Sequence, residues 1–152
     1  MNGTKKNTRV SVSTKLPLTT RLIFSYEGEE MRLVSRKTIQ KIPPVSDRLT
    51  SQDGECGFWY EVRDAKSTTL FRRVMQNPMK QFAEIRSDNA NRPFTWGRIK
   101  DPAGVFIILF PEMKEAVEVV FFSSGPQVQE KKRPARIIAR YSLKNNELRK
   151  EG

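Results

Sequence analysis

Histidine is missing from this 152-residue chain altogether, and cysteine occurs once, at Cys56. The first absence removes the imidazole general base, the Ser–His–Asp and Cys–His arrangements and every His-ligated metal site. The second removes an internal disulfide framework and a Cys-based structural zinc site. No Walker-type phosphate loop occurs, and no GxGxxG. No apolar run approaches the length of a membrane span, and no charged n-region followed by an apolar h-region opens the chain. A cytoplasmic protein with no membrane span is the resulting expectation. A pair of carboxylates is the one catalytic device left. The acids cluster at turns (Glu27, Glu29 and Glu30; Asp53 and Glu55), where carboxylates are ordinarily solvated. Cys56 has no basic residue beside it in sequence to lower its pKa. The chain therefore reads as a non-enzyme that needs no cofactor and no metal.

Acid is scarce at the ends. Residues 1–21 carry five Lys or Arg and no carboxylate, and residues 126–152 carry eight Lys or Arg against three Glu. Ten of the eleven excess positive charges sit there, so the body between is close to neutral. Basic ends of this kind act either as solvated arms or as a grip on an anionic partner that does not read sequence.

What the chain does have is a succession of short β-type runs separated by turn residues. Residues 1–21 read as a basic flexible arm. A single domain is expected over 22–143, with a basic linker at 126–134 before the last strand and a charged tail at 144–152. In "EEMRLVSRKTIQKI", Met31, Leu33 and Ile39 share one parity while Arg32, Arg36 and Gln40 share the other. "GFWYEVRDAKSTTLFRRVM" reads as a β-hairpin turning at "DAKST", with Phe58, Tyr60 and Val62 alternating against Trp59, Glu61 and Arg63. Two registers stay open for it. Pairing Asp64 with Thr68 sends Leu70 and Val74 to the core and sets Trp59 opposite Arg73. Pairing Ala65 with Thr68 sends Phe71 and Met75 to the core and sets Glu61 opposite Arg72. Asn77 before Pro78 suits a helix start, and Met79, Phe82 and Ala83 follow at helical spacing, so one helical turn is expected near 78–83. The run "VFIILF", bounded by Gly104 and Pro111, has the length of a central strand buried on both faces, with "AVEVVFFSSG" paired beside it. "ARIIARYSL" alternates once more, as a last strand with a basic outer face.

About seven to nine short strands with frequent turns predict an all-β, antiparallel β-sandwich rather than a parallel α/β fold. A strand-borne Trp59 three residues after Cys56 resembles an immunoglobulin-like layout in pattern, without the Cys…Trp…Cys framework. Two surfaces stand out as partner-binding candidates. The C-terminal segment offers Lys131, Lys132 and Arg133, followed by Arg136 and Arg140 projecting to one side at period two. The hairpin offers Trp59 out of phase with the core residues, in company with Arg63 and Arg73; Trp and Arg are common anchors of protein interfaces. The expected function is a protein-interaction module or a structural subunit of a larger assembly, binding another protein or itself. Sequence-independent binding of nucleic acid or another polyanion through the basic ends is the alternative.

Overall fold

The structure, a computed structural model, describes residues 15–48, 57–79, 82–124 and 134–151. Among them there are ten strands and no helix, in chain order β1 Leu18–Glu27, β2 Glu30–Gln40, β3 Phe58–Arg63, β4 Thr69–Met75, β5 Phe82–Arg86, β6 Phe94–Arg98, β7 Ala103–Pro111, β8 Glu118–Ser123, β9 Arg136–Ser142 and β10 Leu148–Lys150. All pairings are antiparallel. One sheet has the order β2-β1-β7, a second has β10-β9-β8-β3-β4, and β5 and β6 form a hairpin of their own. The antiparallel sandwich is as the alternation implies.

The two larger sheets bury one face each against the other, as period-two strands with one apolar side must. Leu22, Phe24 and Tyr26 of β1 and Phe106, Ile108 and Phe110 of β7 meet Phe58, Tyr60 and Val62 of β3, Val119 and Phe121 of β8, and Ala139 and Tyr141 of β9. Phe24 sits at the centre, stacked on Phe106 at 5.5 Å and edge-on to Phe121 at 5.3 Å and to Tyr141 at 5.7 Å. Edge-on pairs of this kind add about 0.5–1.5 kcal/mol each beyond the area they bury.

Two polar pins join the sheets at their flanks. Arg36 of β2 donates from Nη1 to the Leu143 carbonyl at 2.6 Å and to Asn146 Oδ1 at 2.8 Å. On the other flank the Tyr60 hydroxyl donates to the Leu109 carbonyl at 2.6 Å.

The expected boundaries and pairings need several corrections. Ordered strand begins at Leu18, inside the residues read as an arm, and β10 lies in the segment read as a tail. No helical turn occurs among the described residues near 78–83. Asn77 Oδ1 accepts the Met79 amide at 3.0 Å in a local turn, and β5 follows as strand. "VFIILF" is not central: β7 is the last strand of its sheet, and Val105 and Ile107 are exposed on its outer face. Nor does "AVEVVFFS" pair beside it. The connection at 112–117 carries the chain to the opposite sheet, where β8 lies between β3 and β9. It is β8 that occupies the middle of a sheet, with Val119, Val120 and Phe121 all buried. Trp59 is on the outward face of its sheet, away from the inter-sheet core in which an immunoglobulin-type tryptophan packs.

Candidate protein interface

The hairpin residues come first, because they were expected to bind a partner. Both registers are partly realised. The Asp64 amide does donate to the Thr68 carbonyl at 3.1 Å, but a bulge at Leu70 shifts the pairing, so that Val62 faces Phe71 and Glu61 faces Arg72. A bulge places one extra residue on one strand and reverses the faces beyond it. Arg72 therefore joins Trp59, Glu61 and Arg63 on the outer face. Arg73 lies opposite Tyr60 on the other face, away from Trp59.

That outer face is closed by its own contacts. Trp59 is 4 % exposed and stacks on Phe122 of β8 at 4.9 Å with the rings 8° from parallel. The Arg63 guanidinium lies 5.5 Å from the centre of the Phe122 ring, within cation–π range. Glu61 is the hub. Its Oε2 accepts from Arg63 Nε (2.9 Å), Arg63 Nη2 (2.7 Å) and Thr69 Oγ1 (3.0 Å), and its Oε1 accepts from Arg72 Nε (2.9 Å) and Nη2 (2.7 Å). Burial alone pushes the carboxyl toward the neutral form. The bonds from Arg72, Arg63 and Thr69 outweigh it and hold the pKa below the usual carboxylate range. Both arginines are thus engaged on a carboxylate 5 % exposed, within their own sheet.

The C-terminal stripe does not form as read. Lys131, Lys132 and Arg133 lie outside the described residues. A bulge at Ile138 breaks the period in β9: Arg140 pairs with Val120 on the outer face, whereas Arg136 pairs with Ser123 on the opposite one. Arg140 is also committed, to Glu118 at 3.3 Å and Glu151 at 2.9 Å. On this sheet's outer face Arg63, Arg72 and Arg140 are thus paired with Glu61, Glu118 and Glu151, and the exposed Arg149 lies 3.6 Å from Glu147.

The other sheet presents a different surface. On its outward side β7 shows Val105 (63 % exposed) and Ile107 (52 %), with Leu109 and Ile23 half-buried beside them. In the backbone, the Glu112 amide donates to the Leu18 carbonyl and the Gly28 amide to the Pro102 carbonyl. With β1 and β7 in continuous register, the even-numbered residues of β7 bond to β1. The N–H and C=O groups of Val105 and Ile107 therefore point away from the sheet, along an edge that no described strand pairs with.

Exposed strand edges usually carry a defence. The other three edges of the two sheets have one. β2 has a bulge at Val34 and the charges Arg32 and Lys37. β10 is three residues long, two of them basic. β4 is capped by the preceding chain: the Asp47 amide donates to the Arg72 carbonyl (2.7 Å), Ser46 Oγ accepts the Arg72 amide (3.1 Å), and Asp47 Oδ2 accepts the Val74 amide (2.9 Å). Among the described residues β7 has no such device: nine residues "AGVFIILFP", no charge, no bulge, and proline only as its last residue. Sequence reading missed this edge because an unbroken apolar run looks like a central strand. Pro111 was the available signal, since a strand tolerates proline where the N–H would face outward.

At the start of β7, Glu27, Gly28, Arg98, Lys100, Asp101 and Pro102 line an open cleft of about 870 Å³ with mixed charge. Among the described residues no group of three or more His, Cys, Asp or Glu is placed to hold a metal ion, and no helix is long and apolar enough to cross a membrane. Comparison of the chain with protein families, with characterised proteins and with solved structures finds no match in any of the three.

Proposed function

We propose that this chain is a non-enzymatic assembly module that works by accepting a β-strand from a partner along β7. The undefended edge of β7 carries the reading. An incoming strand gains main-chain hydrogen bonds from Val105 and Ile107, and the exposed apolar face beside them selects an uncharged, β-branched or aliphatic sequence. Left bare, the same edge would be an aggregation site.

Nucleic-acid binding is the second reading. It rests on the charge at the two ends alone, because Arg63, Arg72 and Arg140 are already paired with carboxylates. Two measurements separate the readings. A labelled duplex and single strand of arbitrary sequence are titrated by fluorescence anisotropy at several salt concentrations. Binding only in very low salt is expected; micromolar binding near physiological salt, with a slope implying roughly five or more neutralised phosphates, would put nucleic acid first. In parallel, partners are captured with the native chain and with Ile107→Lys. Strand addition requires that the substitution abolish capture while the thermal midpoint stays within a degree or two.

A further inference from the structure

Resting on the strand-addition reading, we infer that the strand added to β7 is the β7 of a second copy, paired antiparallel about a two-fold axis. An edge with no charge over nine residues favours a partner strand equally free of charge, because a facing Lys or Glu would be desolvated against Val105 and Ile107. β7 meets that requirement itself. Its outward-pointing groups also match their own two-fold image. Odd-numbered residues face the edge, so an antiparallel copy pairs odd with odd, and a hydrogen-bonded ladder forms without shifting either strand.

Open groups and flanking charge together choose the register. Among the described residues, the Leu109 carbonyl already receives the Tyr60 hydroxyl, which leaves Ala103, Val105 and Ile107 with both outward groups open. Centring the axis on Phe106 sets Val105 opposite Ile107 of the second copy, and the reverse, giving four bonds from open groups alone. The same register carries Lys100, just before β7, to the level of Glu112 of the second copy, just after it. Each exposed lysine then faces an exposed carboxylate at both ends of the ladder. Centring on Ile107 instead would set Lys100 level with Lys114. The favoured arrangement joins two three-stranded sheets into one six-stranded sheet in the order β2-β1-β7-β7-β1-β2. Val105, Ile107 and Ile23 of both copies then form one apolar band across its middle.

The test is the oligomeric state of the full chain from about 1 to about 200 µM, by light scattering and analytical ultracentrifugation, with amide exchange of Val105 and Ile107 read by NMR. The expected result is a reversible dimer. Ile107→Lys should weaken it at least tenfold. Ile107→Pro should weaken it as strongly while leaving the monomer folded, because that N–H bonds nothing in its own sheet. Lys100→Glu should weaken it severalfold, and the swap Lys100→Glu with Glu112→Lys should restore it. A dimer indifferent to Ile107→Lys overturns the inference. A chain monomeric throughout, with fast exchange at Val105 and Ile107, also overturns self-pairing but leaves the edge open to a foreign strand. A monomer in which both amides exchange slowly removes the inference and the strand-addition reading together, since the edge would then be covered.

Discussion

Replacing Glu61 by Gln keeps the shape of the side chain and removes its charge, which makes it the sharpest probe of how the five-stranded sheet is held. The carboxylate accepts five hydrogen bonds, four of them from two guanidinium groups that are 18 % and 24 % exposed. Bonds to charged groups contribute about 1.5–3 kcal/mol each, but they do not add, and the partly exposed arginines recover some hydration when released. Breaking a buried pair by removing one partner costs about 3–5 kcal/mol, and the residual exposure argues for the lower end, about 3 kcal/mol. For a domain of this size that is a fall in midpoint of roughly 6–12 °C. The sign of the pH effect follows from the depressed pKa. Glu61 stabilises the fold in full above its unfolded value of 4.5, and the contribution fades as pH falls through the lower folded value. Urea unfolding of both proteins, followed by circular dichroism between pH 7 and pH 3, should show a gap of about 3 kcal/mol that narrows steadily below pH 4.5. A gap under 1 kcal/mol at pH 7, or one that does not shrink in acid, would refute the assignment of Glu61 as the hub.

Further outcomes test other parts of the fold. A β-carbon on Gly104 would lie 2.8 Å from Tyr26 Oη and 3.0 Å from two carbons of its ring, so Gly104→Ala should cost about 1–3 kcal/mol, largely recovered in the double variant with Tyr26→Leu. Tyr60→Phe removes the bond to the Leu109 carbonyl and should cost about 1 kcal/mol by urea unfolding. Burial pushes the Tyr60 hydroxyl up to about 12, so absorbance titration should show a tyrosine ionisation near pH 12 that is absent from Tyr60→Phe; a Tyr60 step near pH 10 instead would mean that the hydroxyl is not buried. Trp59→Ala should cost about 3–5 kcal/mol, because the ring is covered and stacked on Phe122; lost partner binding with an unchanged thermal midpoint would instead restore Trp59 as an interface residue.

The sandwich, the hairpin and the inward set Phe58, Tyr60 and Val62 were legible because side chains on a strand alternate strictly. The misassigned faces share one cause. Single extra residues at Val34, Leu70 and Ile138 reverse the alternation partway along β2, β4 and β9. Before Val34 the reading holds, and Met31 and Leu33 lie level with Tyr26 and Phe24 on the core side. After it Arg36 falls level with Leu22 and becomes a pin between sheets, while Ile39, grouped by parity with Leu33, moves to the other face. The same slip parts Arg136 from Arg140. A bulge depends on what the neighbouring strand requires, so no local pattern reveals it. The edge position of β7 was equally hidden. Strand order is a property of the whole chain, and Phe106, Ile108 and Phe110 look alike whether their strand has one neighbour or two. The residue types on each strand were thus legible, whereas the faces and edges they occupy were not.

The place of β1 between β2 and β7 has a consequence in time. Its pairing with β2 closes across Gly28 and Glu29, whereas its pairing with β7 joins Thr19 to Pro111 and Glu27 to Ala103. During synthesis at about 5–20 residues per second, β1 waits several seconds for its second neighbour after its first has emerged. Through that interval Leu22 and Phe24 lack the strands they pack on, and the backbone groups reserved for β7 are left to water. Contacts so distant in sequence also place folding in the slow, millisecond-to-second class. The nascent hairpin is therefore a segment exposed to chaperone capture or misassociation; β7 closes its second edge, and only β8 and β9, which follow, cover Phe24.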